Sequence, residues 1–117
     1  MARGPESGVR KKGLTWLRER YGGWWFKVHG SRFQTQGLPD VIGCTHGPCP
    51  HCGKEIDGLF AAIEFKRSDG KRGLTVRQFY ILQQIEEAGG LVCVAKSVQD
   101  LQVVLEQHVE FKLVSPE

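Results

Sequence analysis

The chain has 117 residues, of which 40% are hydrophobic and 25% are charged, and its formal net charge is +3. This length supports one domain with a single core, and the composition excludes a disordered chain and a polycation. No apolar run approaches the ~20 residues that cross a membrane, and the first residues lack the apolar segment of a signal peptide. We therefore expect one cytoplasmic domain, residues 1–117, in which thiols stay reduced.

The first half of the chain predicts a helix followed by two strands. Residues 6–21 place apolar side chains at helical spacing, and residues 24–29 are aromatic and β-branched, as in a strand. A second short strand, residues 38–42, carries Asp40. Pro39 cannot donate to a sheet hydrogen bond, so this strand should lie at an edge or begin at that point.

The second half alternates strands and helices. Residues 59–66 predict a third strand, and Thr75 begins a helix with a capping-box pattern that Gln78 completes. The unbroken apolar run at 91–95 is typical of a strand buried on both faces in a parallel pairing, and Ser97 opens a last helix. The order α-β-β-β-α-β-α predicts an α/β fold with a mixed sheet flanked by helices.

Two of the predicted strands carry charged side chains that can meet. Side chains alternate along a strand, so Glu64 and Lys66 share one face while their apolar neighbours enter the core. If the strand of Asp40 pairs with that of Glu64, two carboxylates and one ammonium converge. A divalent cation such as Mg²⁺, which prefers oxygen ligands, removes the repulsion between the acids. The simpler alternative is an exposed Glu64–Lys66 ion pair worth ~0.2–1 kcal/mol.

These residues belong to a longer series of motifs that resembles the VRR-NUC nucleases, a branch of the PD-(D/E)xK superfamily related to Holliday-junction resolvases. The motifs occur in the family's order: Glu6, Lys27-Val28-His29-Gly30, Gly37-Leu38-Pro39-Asp40-Val41-Ile42-Gly43, Ile63-Glu64-Phe65-Lys66, Thr75-x-x-Gln78, Ala88-Gly89-Gly90 and Val94-Ala95-Lys96-Ser97. The resemblance implies a restriction-endonuclease-like fold, dependence on Mg²⁺ or Mn²⁺, and cleavage of structured or branched DNA, often by a homodimer. Small members are common in phages, so it also implies a phage or prophage protein acting in the host cell.

The resemblance also assigns roles to individual residues. Glu6, Asp40 and Glu64 become the acidic set, Lys66 the catalytic lysine and Gln78 an accessory polar residue, with Asp40, Glu64 and the Phe65 carbonyl as ligands of the catalytic metal. Two of these residues have an equally good local explanation. Glu6 is favoured in the first turn of a helix by the helix dipole, and Gln78 closes the capping box begun by Thr75.

Basic side chains are bunched along the chain and suit contacts to phosphates. The candidates for nucleic-acid binding are Lys27, His29, Arg32, Arg67, Lys71 and Arg72. A solvated charged face explains such clusters equally well, and His29 is as consistent with a structural role as with a contact to DNA.

Residues 43–58 form an insertion rich in glycine, proline, cysteine and histidine between the two acidic strands. Cys49-Pro50-His51-Cys52-Gly53 has the pattern of a zinc knuckle, and structural Zn²⁺ takes four nitrogen or sulfur ligands. Cys44, Cys49 and Cys52 supply three, and His46 is preferred to His51 as the fourth because His51 lies inside the knuckle. A reducing compartment disfavours a disulfide. Such a site would be structural, pinning a hairpin beside the acidic residues.

The sequence thus predicts a metal-dependent DNA endonuclease, and two alternatives remain open. One is a non-catalytic zinc-containing DNA-binding or adaptor module on the same fold. The other is an RNA nuclease.

Overall fold

The computed structural model describes residues 5–29, 36–67, 73–107 and 112–116, with side chains in the first helix from Gly8 onward. The elements run in the order α1 (Pro5–Tyr21), β1 (Trp24–Lys27), β2 (Val41–Pro48), β3 (Glu55–Phe65), α2 (Val76–Glu87), β4 (Leu91–Ala95) and α3 (Val98–Leu105). Within these ranges no helix is both long and apolar enough to cross a membrane.

The described strands form a four-stranded mixed sheet in the order β1-β2-β3-β4. The first three strands are antiparallel, and β4 runs parallel to β3. The parallel pairing follows from chain connection, because α2 carries the chain from the end of β3 back to the start of β4.

Each face of the sheet has its own helices and its own apolar cluster. On one face α1 and α3 bury Leu17 and Leu101 against alternate residues of β3, including Ile63 and Phe65. On the other face α2 packs Leu82 onto Ala62 and Val92. Odd-numbered residues of β3 therefore face α1 and α3, and even-numbered residues face α2. The predicted α/β fold, with a mixed sheet between helices, is confirmed.

The hairpin between β2 and β3 is longer than predicted, and the boundaries of 38–42 and 43–58 were wrong. Asp40 precedes β2 instead of lying within a strand, and most of the glycine-rich insertion is paired strand on either side of a turn. The reason lies in packing: a side-chain carbon on Gly43 would stand 2.3 Å from the Trp25 ring, so the glycine makes room for an aromatic neighbour in a regular strand. The prediction read that glycine as a sign of loop.

Candidate metal centre

Asp40 and Glu64 lie opposite each other at one end of the β2–β3 hairpin. Val41 pairs with Ile63, so the residue before Val41 faces the residue after Ile63. The Asp40 N–H donates to Glu64 Oε1 at 3.2 Å, and the Phe65 N–H donates to Asp40 Oδ2 at 2.8 Å. Each carboxylate is thus held by the backbone beside the other, as the pairing of their strands predicted.

Lys66 and Gln78 complete a connected polar group around Glu64. Lys66 Nζ lies 3.5 Å from Glu64 Oε2 and donates to Gln78 Oε1 at 3.1 Å. Gln78 Nε2 donates to the same Glu64 oxygen at 3.1 Å. Because Glu64 and Lys66 are both even-numbered, they lie on the α2 face, where the first turn of α2 presents Gln78 to them.

The capping box at the start of α2 fixes the position of Gln78. Thr75 Oγ1 accepts the Gln78 N–H at 3.1 Å, and Gln78 Oε1 accepts the Thr75 N–H at 2.9 Å. The same Gln78 oxygen also accepts Lys66 Nζ, so one amide serves the helix start and the charged group together. The two roles left open for Gln78 are compatible, since the capping contacts and the contacts to Glu64 and Lys66 form in one rotamer.

Burial makes this group electrostatically costly. Glu64 is 2% exposed and Lys66 is 7% exposed. Burial first and then the nearby Asp40 charge raise the pKa of Glu64 to about 8, against the lowering effect of Lys66. An exposed ion pair is therefore excluded for these two residues. The Glu64 carboxyl takes up a proton well above its ordinary pKa because two buried acids face each other with one cation nearby.

The oxygen atoms present suit a small hard cation. Two acids in contact at the end of a hairpin supply the ligand type that Mg²⁺ and Mn²⁺ prefer, and a bound cation takes the place of the proton that Glu64 otherwise holds. Asp40 is only partly buried, so this side of the pair remains open to solvent. Phe65 lies beside both acids, but its N–H, not its carbonyl, makes the contact that the structure describes.

The other residues proposed for this site are divided between described and undescribed parts of the chain. Lys27 and His29 are exposed just beyond the site, where the Val28 N–H donates to the Asp40 carbonyl at 2.7 Å. Arg67 directly follows Lys66. Four residues lie outside the described positions and side chains: Glu6, whose backbone is in α1, and Arg32, Lys71 and Arg72.

The turn between β2 and β3 brings two of the proposed zinc ligands together. Cys49 Sγ accepts the His51 N–H at 3.4 Å. That bond, a second from the Cys52 backbone and a contact with the Cys52 side chain lower the pKa of the Cys49 thiol. The turn is closed by Cys49 and Lys54 at 2.8 Å and by Gly53 and Cys49 at 2.8 Å. This is the geometry expected of the two thiolates of a knuckle.

The other two proposed ligands lie apart from the turn. Cys44 is within the extended strand β2, roughly 16 Å along it from Cys49 at ~3.3 Å per residue, and it pairs with Trp24 and Phe60. His46 Nδ1 is 2.6 Å from Glu55 Oε1. Among the described residues no group of three or more Cys, His, Asp or Glu is arranged to hold a metal ion. The four-residue set therefore does not fit a shared Zn²⁺ in this conformation.

Sequence reasoning missed the exposed aromatic side chains next to the site. Trp24 is 59% exposed and Phe26 is 47% exposed. The alternation in β1 placed them on one face, but it could not show that α2 leaves that part of the sheet uncovered. Cys93, by contrast, is buried as expected, and burial raises the pKa of its thiol to about 12.

Comparisons of the chain with protein-family models, curated proteins and solved structures find no match. The geometry of the charged group therefore carries the functional argument.

Proposed function

We propose that the chain is a metal-dependent DNA endonuclease of the PD-(D/E)xK type, with the restriction-endonuclease-like fold that its resemblance to VRR-NUC nucleases implies. The observation that carries the proposal is the convergence of Asp40, Glu64, Lys66 and Gln78 at one end of the sheet. A structural role alone does not account for two facing acids, one of them buried at a cost, when apolar residues would pack there without penalty. Perturbed carboxyl groups of this kind are concentrated at functional sites.

In this proposal Asp40 and Glu64 hold Mg²⁺ or Mn²⁺, with the Phe65 carbonyl as a further candidate ligand. The cation supplies a bound water of lowered pKa and neutralises charge on the phosphate. Lys66 directs its ammonium N–H groups at the attacking water and at the negative charge that develops on the phosphate oxygens. Gln78 keeps Lys66 and Glu64 at fixed positions, so their orientation is set before substrate binds.

The substrate class and the assembly follow from the resemblance and belong to the proposal. Branched DNA, of the Holliday-junction or flap type, is the expected substrate, and a homodimer is the expected assembly. Lys27, His29 and Arg67 border the carboxylates and are placed to contact phosphates. Arg32, Lys71 and Arg72 are further candidates by sequence.

A cleavage panel tests the activity. Wild-type protein is incubated with linear, nicked, flap and four-way-junction DNA of shared sequence in Mg²⁺, Mn²⁺ or EDTA. We expect cleavage that requires the metal and falls ~100-fold or more in Asp40→Asn, Glu64→Gln and Lys66→Met, as when a group that stabilises the transition state is lost.

Matched controls keep this result specific. Asp57→Asn and Lys54→Met change exposed charges elsewhere in the same hairpin and should retain activity. Sedimentation of the wild type tests the homodimer. Failure of the folded wild type to cut any of the DNA substrates would reject the endonuclease and favour the adaptor module, while cleavage of matched RNA alone would favour an RNA nuclease.

A further inference from the structure

Two aromatic rings stand exposed on the sheet face that carries the charged group. Trp24 and Phe26 are 59% and 47% exposed, and their rings are parallel to within 10° with centroids 5.8 Å apart. We name these two side chains the aromatic ledge. Exposed aromatic surface of this size on a soluble domain indicates an interaction site.

The pairing of the strands locates the aromatic ledge relative to the carboxylates. Residues directly opposite one another on neighbouring strands share a face. Phe26 pairs with Ile42, and Ile42 pairs with Ala62, which packs under α2. The next row toward the end of the hairpin is that of Asp40 and Glu64.

Successive rows on one face are two residues, or about 7 Å, apart along the strands. Phe26 is therefore one row and Trp24 two rows from the carboxylates, on the same side of the sheet. A chain bound at the carboxylates can continue over both rings without crossing an edge.

We propose that the aromatic ledge stacks the bases of unpaired nucleotides adjoining the phosphate held at Asp40 and Glu64. The inference rests on the proposed function and adds the strand path and the preference for single-stranded DNA next to the cleaved bond. Aromatic side chains stack on any base, because every base has a π face, and adjacent cations take the phosphates. Lys27 is exposed on the same strand as the aromatic ledge, and the continuity with the carboxylates favours a polyanion that carries bases.

Phe60 provides a control on the same face. It is 43% exposed, close to the exposure of Phe26. It lies in β3, with Cys44 of β2 between it and Trp24, so it is off the path along β1.

The first experiment measures binding without cleavage. Fluorescence anisotropy gives the Kd of an end-labelled oligo-dT and of a duplex of equal length, in EDTA and at several salt concentrations. We expect Trp24→Ala and Phe26→Ala each to weaken oligo-dT binding about 5- to 100-fold, the effect of losing one stacked base. Duplex binding should change less than 2-fold, and Trp24→Phe should restore most of the affinity because it keeps a ring.

The salt dependence separates stacking from charge. Trp24→Ala should leave the slope of log affinity against log salt unchanged, whereas Lys27→Ala should reduce it by about 0.7, the value for one lost phosphate contact on a single strand. A reduced slope in Trp24→Ala would mean that phosphate contacts, not bases, were lost.

Three results would overturn the inference. One is unchanged oligo-dT affinity in both ledge variants, and another is an equal loss in Phe60→Ala. The third is a shift of Trp24→Ala from dimer to monomer in sedimentation, which would make the aromatic ledge a contact between two copies.

Binding and cleavage fail separately. Ledge variants that bind and cut flap DNA like the wild type would reject the aromatic ledge and leave the nuclease standing. A wild type that binds oligo-dT through the ledge but cuts nothing would do the reverse.

Discussion

Glu64 is an acid that water hardly reaches, and it faces another acid across a pair of strands. The backbone N–H of Asp40, the amide of Gln78 and the ammonium of Lys66 all contact its carboxyl. These contacts hold the side chain in place but do not offset burial, and the pKa of Glu64 stays raised to about 8. Without a cation this residue reduces the stability of the fold at neutral pH.

The pH dependence of unfolding tests this at a single residue. The raised pKa means that the folded chain binds a proton that the unfolded chain releases near pH 4.5. The contribution of Glu64 to stability is therefore highest below about pH 4.5 and is lost as pH rises to about 8. We expect Glu64→Gln to remove this loss, so that in EDTA the variant gains stability over the wild type as pH increases across this window.

Urea unfolding in EDTA, at intervals from pH 4.5 to 9, measures the difference. Asp57→Asn serves as the control, because it removes a carboxylate from an exposed position of the same strand. Parallel curves for the wild type and Glu64→Gln would contradict the raised pKa. Mg²⁺ should reduce the advantage of the variant, since metal binding displaces the proton and stabilises the folded wild type.

At the scale of an element, the start of α2 connects helix formation to the charged group. Thr75 touches neither Glu64 nor Lys66, yet it holds Gln78, which touches both. Thr75→Ala should lower the free energy of unfolding by about 1 kcal/mol, as for other N-caps, and should lower metal-dependent cleavage by loosening Gln78.

Thr75→Ser is the matched control, because serine keeps the hydroxyl that accepts the Gln78 N–H. Chemical denaturation and single-turnover cleavage should both be restored in it. Val76→Ala, at an exposed neighbouring position of α2, should leave cleavage unchanged. Full cleavage by Thr75→Ala would show that Gln78 keeps its position without the cap.

The turn at the far end of the β2–β3 hairpin makes a second prediction at this scale. Only Cys49 and Cys52, of the cysteines proposed as zinc ligands, contact each other. We expect Cys49→Ser and Cys52→Ser to lose zinc from the purified protein, and Cys44→Ser to keep it, because β2 holds Cys44 far from the turn. Elemental analysis after removal of loosely bound metal gives the zinc content.

The cysteine result has two contrary outcomes. Zinc lost equally in Cys44→Ser would mean that β2 rearranges to form the four-ligand site that the sequence suggested. A wild type purified without zinc from zinc-supplemented cells would remove zinc from the proposal altogether.

At the scale of the whole molecule, the contact between α1 and the sheet depends on one small residue. A side-chain carbon on Gly13 would lie 2.6 Å from Phe65 Cε1 and 3.1 Å from Leu101 Cδ1, whereas one on Gly8 would meet nothing within 4 Å. Phe65 is fully buried and has no room to move. Gly13→Ala should destabilise the fold by about 1–3 kcal/mol.

Gly8→Ala gives the opposite expectation on the same helix. Alanine is the better helix former by up to about 1 kcal/mol, so the free energy of unfolding should rise. Denaturant titration of both variants checks the pair. Stabilisation by both substitutions would show that α1 does not approach Phe65 as closely as the structure has it.

The sequence was most informative where local pattern and tertiary structure agree. The parity of residues 61–66 correctly placed Glu64 and Lys66 together, and Thr75 with Gln78 correctly predicted a capped helix. The extent of β2 was not predictable in this way, because Gly43 is strand-compatible only through the distant Trp25 ring. The exposure of Trp24 and the isolation of Cys44 likewise depend on which half of the sheet α2 covers.

The contiguity of the charged group along the chain has a consequence for inheritance. Asp40, Glu64, Lys66 and Gln78 all come from β2, β3 and the start of α2, without a break by another element. A single recombination fragment can therefore carry the whole set into a new gene. The flanking helix and the last strand are then free to diverge, provided that they still supply an apolar surface behind it.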